Sequence, residues 1–248
     1  MSSAQNDSAA SGKIAFYRFQ KDPARFCTSR YVNKLDALLT FSGIKDIEYR
    51  PGNPLAAPRG TLPFIEVNGA TIPDSELAYN TCIEKGLVEC LDRKAGLNDK
   101  ESATSFALRA LVEQLGEMMV YERWIENWYL TRDKFLVVIP AIIRPPLAYM
   151  VDNRMRSTGF ALLTPEERDK DLRDKIKAMA TFIPKSGYIL GKPTPTRIDA
   201  IVFGYITGIS YTPDLNPKAA TELHKYPQAE SYRSRLAAEF WPNRKPLN

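Results

Sequence analysis

Apolar residues fall in short runs over the first part of this chain and at helical spacing over the remainder, and that change of period divides it in two. Residues 13–19 (KIAFYRF) are aromatic-rich and short, which predicts a first strand buried on both faces. After the loop QKDPARFCTSR, Tyr31, Val32, Leu35, Leu38 and Leu39 recur at helical spacing until Ser42-Gly43 ends the helix. Residues 47–50 read as a brief second strand, and the Pro/Gly-rich run 51–60 crosses from it to a hairpin. There Pro63 stands directly before Phe64, Ile65 and Val67, a position where proline gives up no ladder hydrogen bond. Asn68-Gly69 is a two-residue turn of the kind that needs positive φ at both positions. A return strand through Thr71 and Ile72 is broken by Pro73-Asp74-Ser75, which opens a helix with two good capping side chains. The order β-α-β, link, β-β-α predicts an α/β sandwich: parallel strands joined by a crossover helix, with an antiparallel hairpin added.

The polar stretch 94–100 (KAGLNDK) marks a boundary, so the expected units are an α/β domain over 13–93 and an all-α domain over 101–248. Leu108, Leu111, Leu115, Met118, Ile125 and Trp128 make one stripe on a long helix, widened by Tyr121 and Trp124. The most apolar stretch, 135–155, is interrupted by Pro140, Arg144, Pro145 and Pro146, too short and broken to span a bilayer. Two kinked, buried helix segments are expected there. Thr164-Pro165-Glu166-Glu167 is a full helix start with a capping box, leading to Leu172, Ile176, Met179 and Ile183 on one face. Thr196 and Asp199 form a second box ahead of an apolar helix, and this pair is assigned to folding rather than catalysis.

Composition changes the picture only by exclusion. The 248 residues are 44% hydrophobic and 25% charged, as in a soluble globular protein. The net charge of +5 is scattered, a weak argument for an anionic ligand and none for nucleic acid, which would ask for a basic stripe. Cys27, Cys82 and Cys90 are too few and too unevenly spaced for a disulfide framework or a zinc site, so a reducing, cytoplasmic compartment is the default. Cys82 and Cys90 fall among apolar positions after Ser75 and are expected to be packed on that helix. The single histidine, His224, makes a Ser/His/acid triad unattractive. Residues 1–12 have neither the basic nor the apolar part of a signal peptide and are expected to be a disordered tail.

The series Pro, strand, Asn-Gly, strand, Asp-Ser, helix closely resembles the second half of a thioredoxin-like domain as glutathione transferases use it. The resemblance implies a cis Leu62-Pro63 bond and a Leu62 backbone that pairs with the cysteinyl unit of glutathione like an added strand. It further implies that Ser75 and the helix amides hold the γ-glutamyl carboxylate, with Asp74 near the ammonium. GKPTPTRIDAIVFG and the ending YPQAESYRSRLAAEFWP narrow the likeness to the Failed axon connections proteins, with metaxins nearby, over roughly residues 13–242. SRYVNKLD can be laid on that branch's Ser-Pro-Phe-Cys-x-Lys-x-Glu run with Ser29, Lys34, Leu35 and Asp36 in agreement, whereas Arg30 stands for its Pro and Val32 for its Cys.

That register makes Ser29 either the donor that stabilises the glutathione thiolate or simply the cap of helix 1. A competing register reads CTSR as a Cys-x-x-Ser site, in which Arg25 and Arg30 depress the Cys27 pKa and the thiol forms mixed disulfides. Lys34 and Arg59 can reach the glycyl carboxylate. Tyr121, Trp124 and Trp128 line the family's interdomain cleft or pack in the core. The implied activity is addition of glutathione to a small-molecule electrophile, ending as a conjugate, an isomerisation or an elimination, in a protein that forms homodimers. Its rivals are a non-catalytic adaptor, as the metaxin neighbours suggest, and thiol-disulfide exchange through Cys27.

Overall fold

The computed structural model describes residues 13–19, 22–136 and 140–245, with the side chains of Leu55 and Phe135 outside that description. The 1–12 tail and part of the 135–155 stretch therefore lie outside the described residues. Strand β1 (Ile14–Arg18) lies between parallel β2 (Ile47–Pro51) and antiparallel β3 (Phe64–Val67), and β4 (Ala70–Pro73) pairs with β3 at the edge. Ile14 and Phe16 face the core, as does Arg18 at the strand end. The turn is as expected, with φ of 50° at Asn68 and 78° at Gly69.

Helix α1 (Arg30–Phe41) covers one face of this sheet and is buried almost all round, because α8 (Arg197–Tyr211) lies on its other side. The two helices meet at backbone distance. A Cβ on Gly204 would sit 2.6 Å from the Lys34 amide nitrogen, and one on Gly208 would sit 2.9 Å from Arg30 Cβ. Among the described residues, β2 and β3 are joined by a loop with one 3-10 turn (Pro54–Ala56) and no α-helix. The opposite sheet face is finished by Tyr17 stacked on Phe64 at 4.2 Å and by ion pairs of Glu48 with Lys13 and Arg50. Hydrogen bonds from Arg50 and Lys13 hold the pKa of the half-buried Glu48 carboxyl down to about 2.

α2 (Ser75–Glu84) packs beside α1 and ends before Gly86. Cys90 is therefore not on this helix; it precedes α3 (Leu91–Lys94) and is only half-buried, while Cys82 is packed as expected. α4 (Asp99–Tyr121) buries Leu108, Val112, Leu115, Met118 and Met119. The long helix does not run on unchanged. Glu122–Glu126 is wound as a π turn, the Thr131 hydroxyl takes the Arg123 carbonyl, and α5 (Trp128–Leu130) leads into a second π turn.

α6 (Arg144–Arg156) has Pro145 and Pro146 in its first turn, where proline costs no helical bond. It is not the buried segment the apolar sequence suggests: Ile142 just before it, Tyr149 and Met150 point to solvent, and Met155 is the one buried side chain on it. Among the described residues its main neighbours are the π turn and short 3-10 turns, which offer no broad face to cover it. α7 (Pro165–Thr181) starts from the Thr164/Glu167 box and buries Leu172, Ile176 and Met179. α9 (Pro217–Leu223) and α10 (Pro227–Phe240) close the helical layer. Asp199 is sealed under α10, accepting from the Ile189 amide, the Thr196 amide and hydroxyl and the Tyr232 hydroxyl, so burial raises its pKa while four donors hold it in place. The chain then returns to the sheet: Arg244 pairs with buried Asp36 at 2.5 Å, and Lys245 N donates to the Ala24 carbonyl at 2.8 Å.

Candidate functional site

The start of α2 is fixed by Asp74. Its backbone has φ of 67°, and its Oδ1 accepts from the amides of Glu76 (2.8 Å) and Leu77 (3.2 Å). Ser75 follows, 2% exposed, at the edge of a cleft of about 360 Å³ between α1, α2 and α4. Tyr31 and Lys34 of α1, Phe106, Arg109 and Glu113 of α4, and Ile201 of α8 complete its walls.

Lys34 is the cation at its floor. Its side chain is 4% exposed, with Nζ 2.7 Å from Glu113 and 3.7 Å from Glu76. Glu113 also accepts from the Tyr205 hydroxyl at 2.8 Å. Glu76 receives Arg109 at 3.7 Å and a closer contact from Arg197, so three cations converge on it. In such a cleft these charges are screened less than they would be on an open surface.

Of the residues singled out in the sequence, Lys34, Asp74 and Ser75 come together here. The Leu62-Pro63 bond is cis, as the resemblance implies. Leu62 lies outside the cleft wall, its side chain packed with Ala57 and Phe64. Among the described residues, no backbone hydrogen bond outside the strands engages it. Arg59 is exposed on the β2–β3 loop and does not line the cleft.

Ser29 is the N-cap of α1 by backbone conformation, yet its side chain makes no capping bond, and it is 8% exposed. Arg123 reaches across from the π turn to the Thr28 carbonyl beside it at 3.5 Å. Cys27 reverses the expectation of a reactive thiol. It is fully buried, and the Asn33 side chain brackets its backbone with two bonds of 2.8 Å. Burial pushes the thiol pKa up, outweighing the nearby Arg18. Tyr121 packs on Phe160 and under the Arg168 guanidinium, and Trp124 stacks on Trp128 at 6.1 Å; none of the three lines the cleft.

Arg30, at the position where the resembling run has proline, ties three helices together. Its guanidinium lies over the Tyr31 ring at 4.3 Å and donates to the Gly116 carbonyl of α4 at 2.5 Å, beside Tyr205 of α8. Sequence reading missed Tyr31, Glu76, Phe106, Arg109 and Glu113. The one signal the sequence held for them is the i,i+4 spacing of Arg109 and Glu113.

A model of the glutathione S-transferase N-terminal domain matches residues 30–129, and one of the glutathione S-transferase C-terminal domain matches residues 172–236. Among solved structures, a glutathione S-transferase from Methylobacterium radiotolerans, in complex with glutathione sulfonate, superposes with a TM-score of 0.58 at 12% identity, covering 93% of this chain and 92% of that one. One from Phanerochaete chrysosporium gives 0.53 at 13% identity, covering 87% and 96%. The four-stranded sheet with its helical second half is thus a glutathione transferase fold, and the chain belongs to that superfamily. Two relatives narrow the branch. Failed axon connections of Drosophila melanogaster is 21% identical across 93% of this chain, which spans 58% of that protein's length. Human Metaxin-2 is 23% identical across 76% of this chain and 73% of its own. The chain is a member of the metaxin and Failed axon connections branch.

Proposed function

We propose that this protein binds glutathione and presents its thiolate to an electrophilic small molecule. The observation that supports this most is the Asp74-Ser75 pair at the start of α2, opening on a cleft with Lys34 at its floor. Among the described residues no backbone hydrogen bond outside the strands engages Leu62, so its N–H and C=O would pair with the cysteinyl unit as an added strand does. Ser75 and the first turn of α2 would hold the γ-glutamyl carboxylate. The Ser29 hydroxyl, free of a capping bond at the positive end of α1, would donate to the sulfur and favour its ionised form. Addition then forms a carbon–sulfur bond, with the electron pair of the attacked π bond passing into the acceptor and a proton completing the product. The neighbour holding glutathione sulfonate supports a related site in the fold. A cytoplasmic homodimer is the working assembly we assign.

Calorimetric titration of reduced glutathione into the protein and its Ser75→Ala variant tests the reading. Binding of about 4 to 8 kcal/mol, sharply weakened in the variant, supports it. No heat at several millimolar sinks it. A second reading, the non-catalytic adaptor, draws on the solvent-facing Ile142, Tyr149 and Met150 around α6, an apolar stripe suited to a protein partner. Exchange through Cys27 draws no support from a thiol so deeply covered.

A further inference from the structure

Three cations converge on one carboxylate in the first turn of α2, Glu76: Lys34 and Arg109 from the cleft wall, and Arg197 from outside it. Lys34, Arg109 and Arg197 all face Glu76, whereas Glu113 is already satisfied by Lys34 and the Tyr205 hydroxyl. Arg109 Nε and Arg197 Nε are buried donors with no hydrogen-bond partner. Glu76 differs from its cationic neighbours in exposure. Its side chain is 39% accessible, against 4% for Lys34, 12% for Arg197 and 20% for Arg109, so it can turn out to water while they stay. Arg197 would keep Asn80 at 3.1 Å and the Tyr79 ring, and Arg109 the Phe106 ring. The seat left behind is a preformed set of donors near Ser75: Lys34, Arg109 and Arg197, with Glu113 still paired to Lys34.

We infer that Glu76 is an internal stand-in for a ligand carboxylate: Lys34, Arg109 and Arg197 form a carboxylate seat, and the γ-glutamyl carboxylate enters it by displacing the Glu76 side chain. This rests on the reading that the cleft takes glutathione. Glu76 then sets affinity by competition, and ligands without that carboxylate gain nothing from its removal.

The test is calorimetric titration of the full chain and its Glu76→Gln and Arg109→Gln variants with reduced glutathione, and with cysteinylglycine, which lacks the γ-glutamyl unit. Near-ultraviolet circular dichroism checks that each variant is folded. The expected result is roughly tenfold tighter glutathione binding by Glu76→Gln and roughly tenfold weaker binding by Arg109→Gln, with cysteinylglycine indifferent to Glu76. Binding by Glu76→Gln alone also supports the inference. Binding by the natural chain that Glu76→Gln leaves unchanged or weakens overturns the inference and spares the glutathione reading, because Glu76 would then be a bystander or a partner of the ligand ammonium. Absence of glutathione binding in every folded form overturns both.

Discussion

Single side chains decide which chemistry this site can do. Cys27 is buried with its pKa raised, and burial holds the Cys82 thiol at about 11, so at pH 8 neither supplies appreciable thiolate. Cys90, half-buried before α3, is the accessible thiol. A thiol-reactive chromophore on the native protein should therefore label Cys90 alone, with Cys27 and Cys82 reacting only in denaturant. Rapid labelling lost in Cys27→Ser would restore the exchange reading. Asp74, the Asn68-Gly69 turn and the two capping boxes were legible in the sequence, because each depends on residues within a few positions of itself. The partners of Lys34 were not: Glu76 and Glu113 lie far along the chain and meet it only once α1, α2 and α4 are stacked. For the same reason Arg30 read as a mere departure from a motif, though it bolts α1 to α4.

At the scale of elements, the crossing of α1 and α8 is the tightest joint. Gly204 lets the Lys34 backbone approach to a distance no side chain tolerates, and the obstacle is main chain, which cannot rotate aside. Gly204→Ala should cost about 3 kcal/mol, read as a lower urea midpoint, while Gly159→Ala, with nothing near its added carbon, serves as a silent control. The apolar spacing in the sequence identified both helices but carries no record of how closely they approach. Periodicity likewise said that 147–155 is helical without saying what covers it, and α6 turned out to lie largely uncovered.

Across the whole molecule, the last described residues return to the first layer. Arg244 lies among the rings of Phe26, Tyr49 and Trp241 and meets Asp36, which is 2% exposed at its side chain. Removing one partner leaves a buried charge unpaired, so Arg244→Ala should lose about 3 kcal/mol, measured as a fall in the thermal midpoint. A variant melting like the natural chain would show that the pair contributes little beyond an exposed salt bridge. The sheet and the helical layer are readily drawn as two halves, yet α1 is the covering helix of one and a core helix of the other. Neither half can keep its interior once α1 leaves. Scanning calorimetry should accordingly show one endotherm, its calorimetric and van't Hoff enthalpies equal. The sharing of α1 also sets a limit on modular exchange: a chimera joining this sheet to the helices of a relative has to carry α1 and α8 together or forfeit the seam between them.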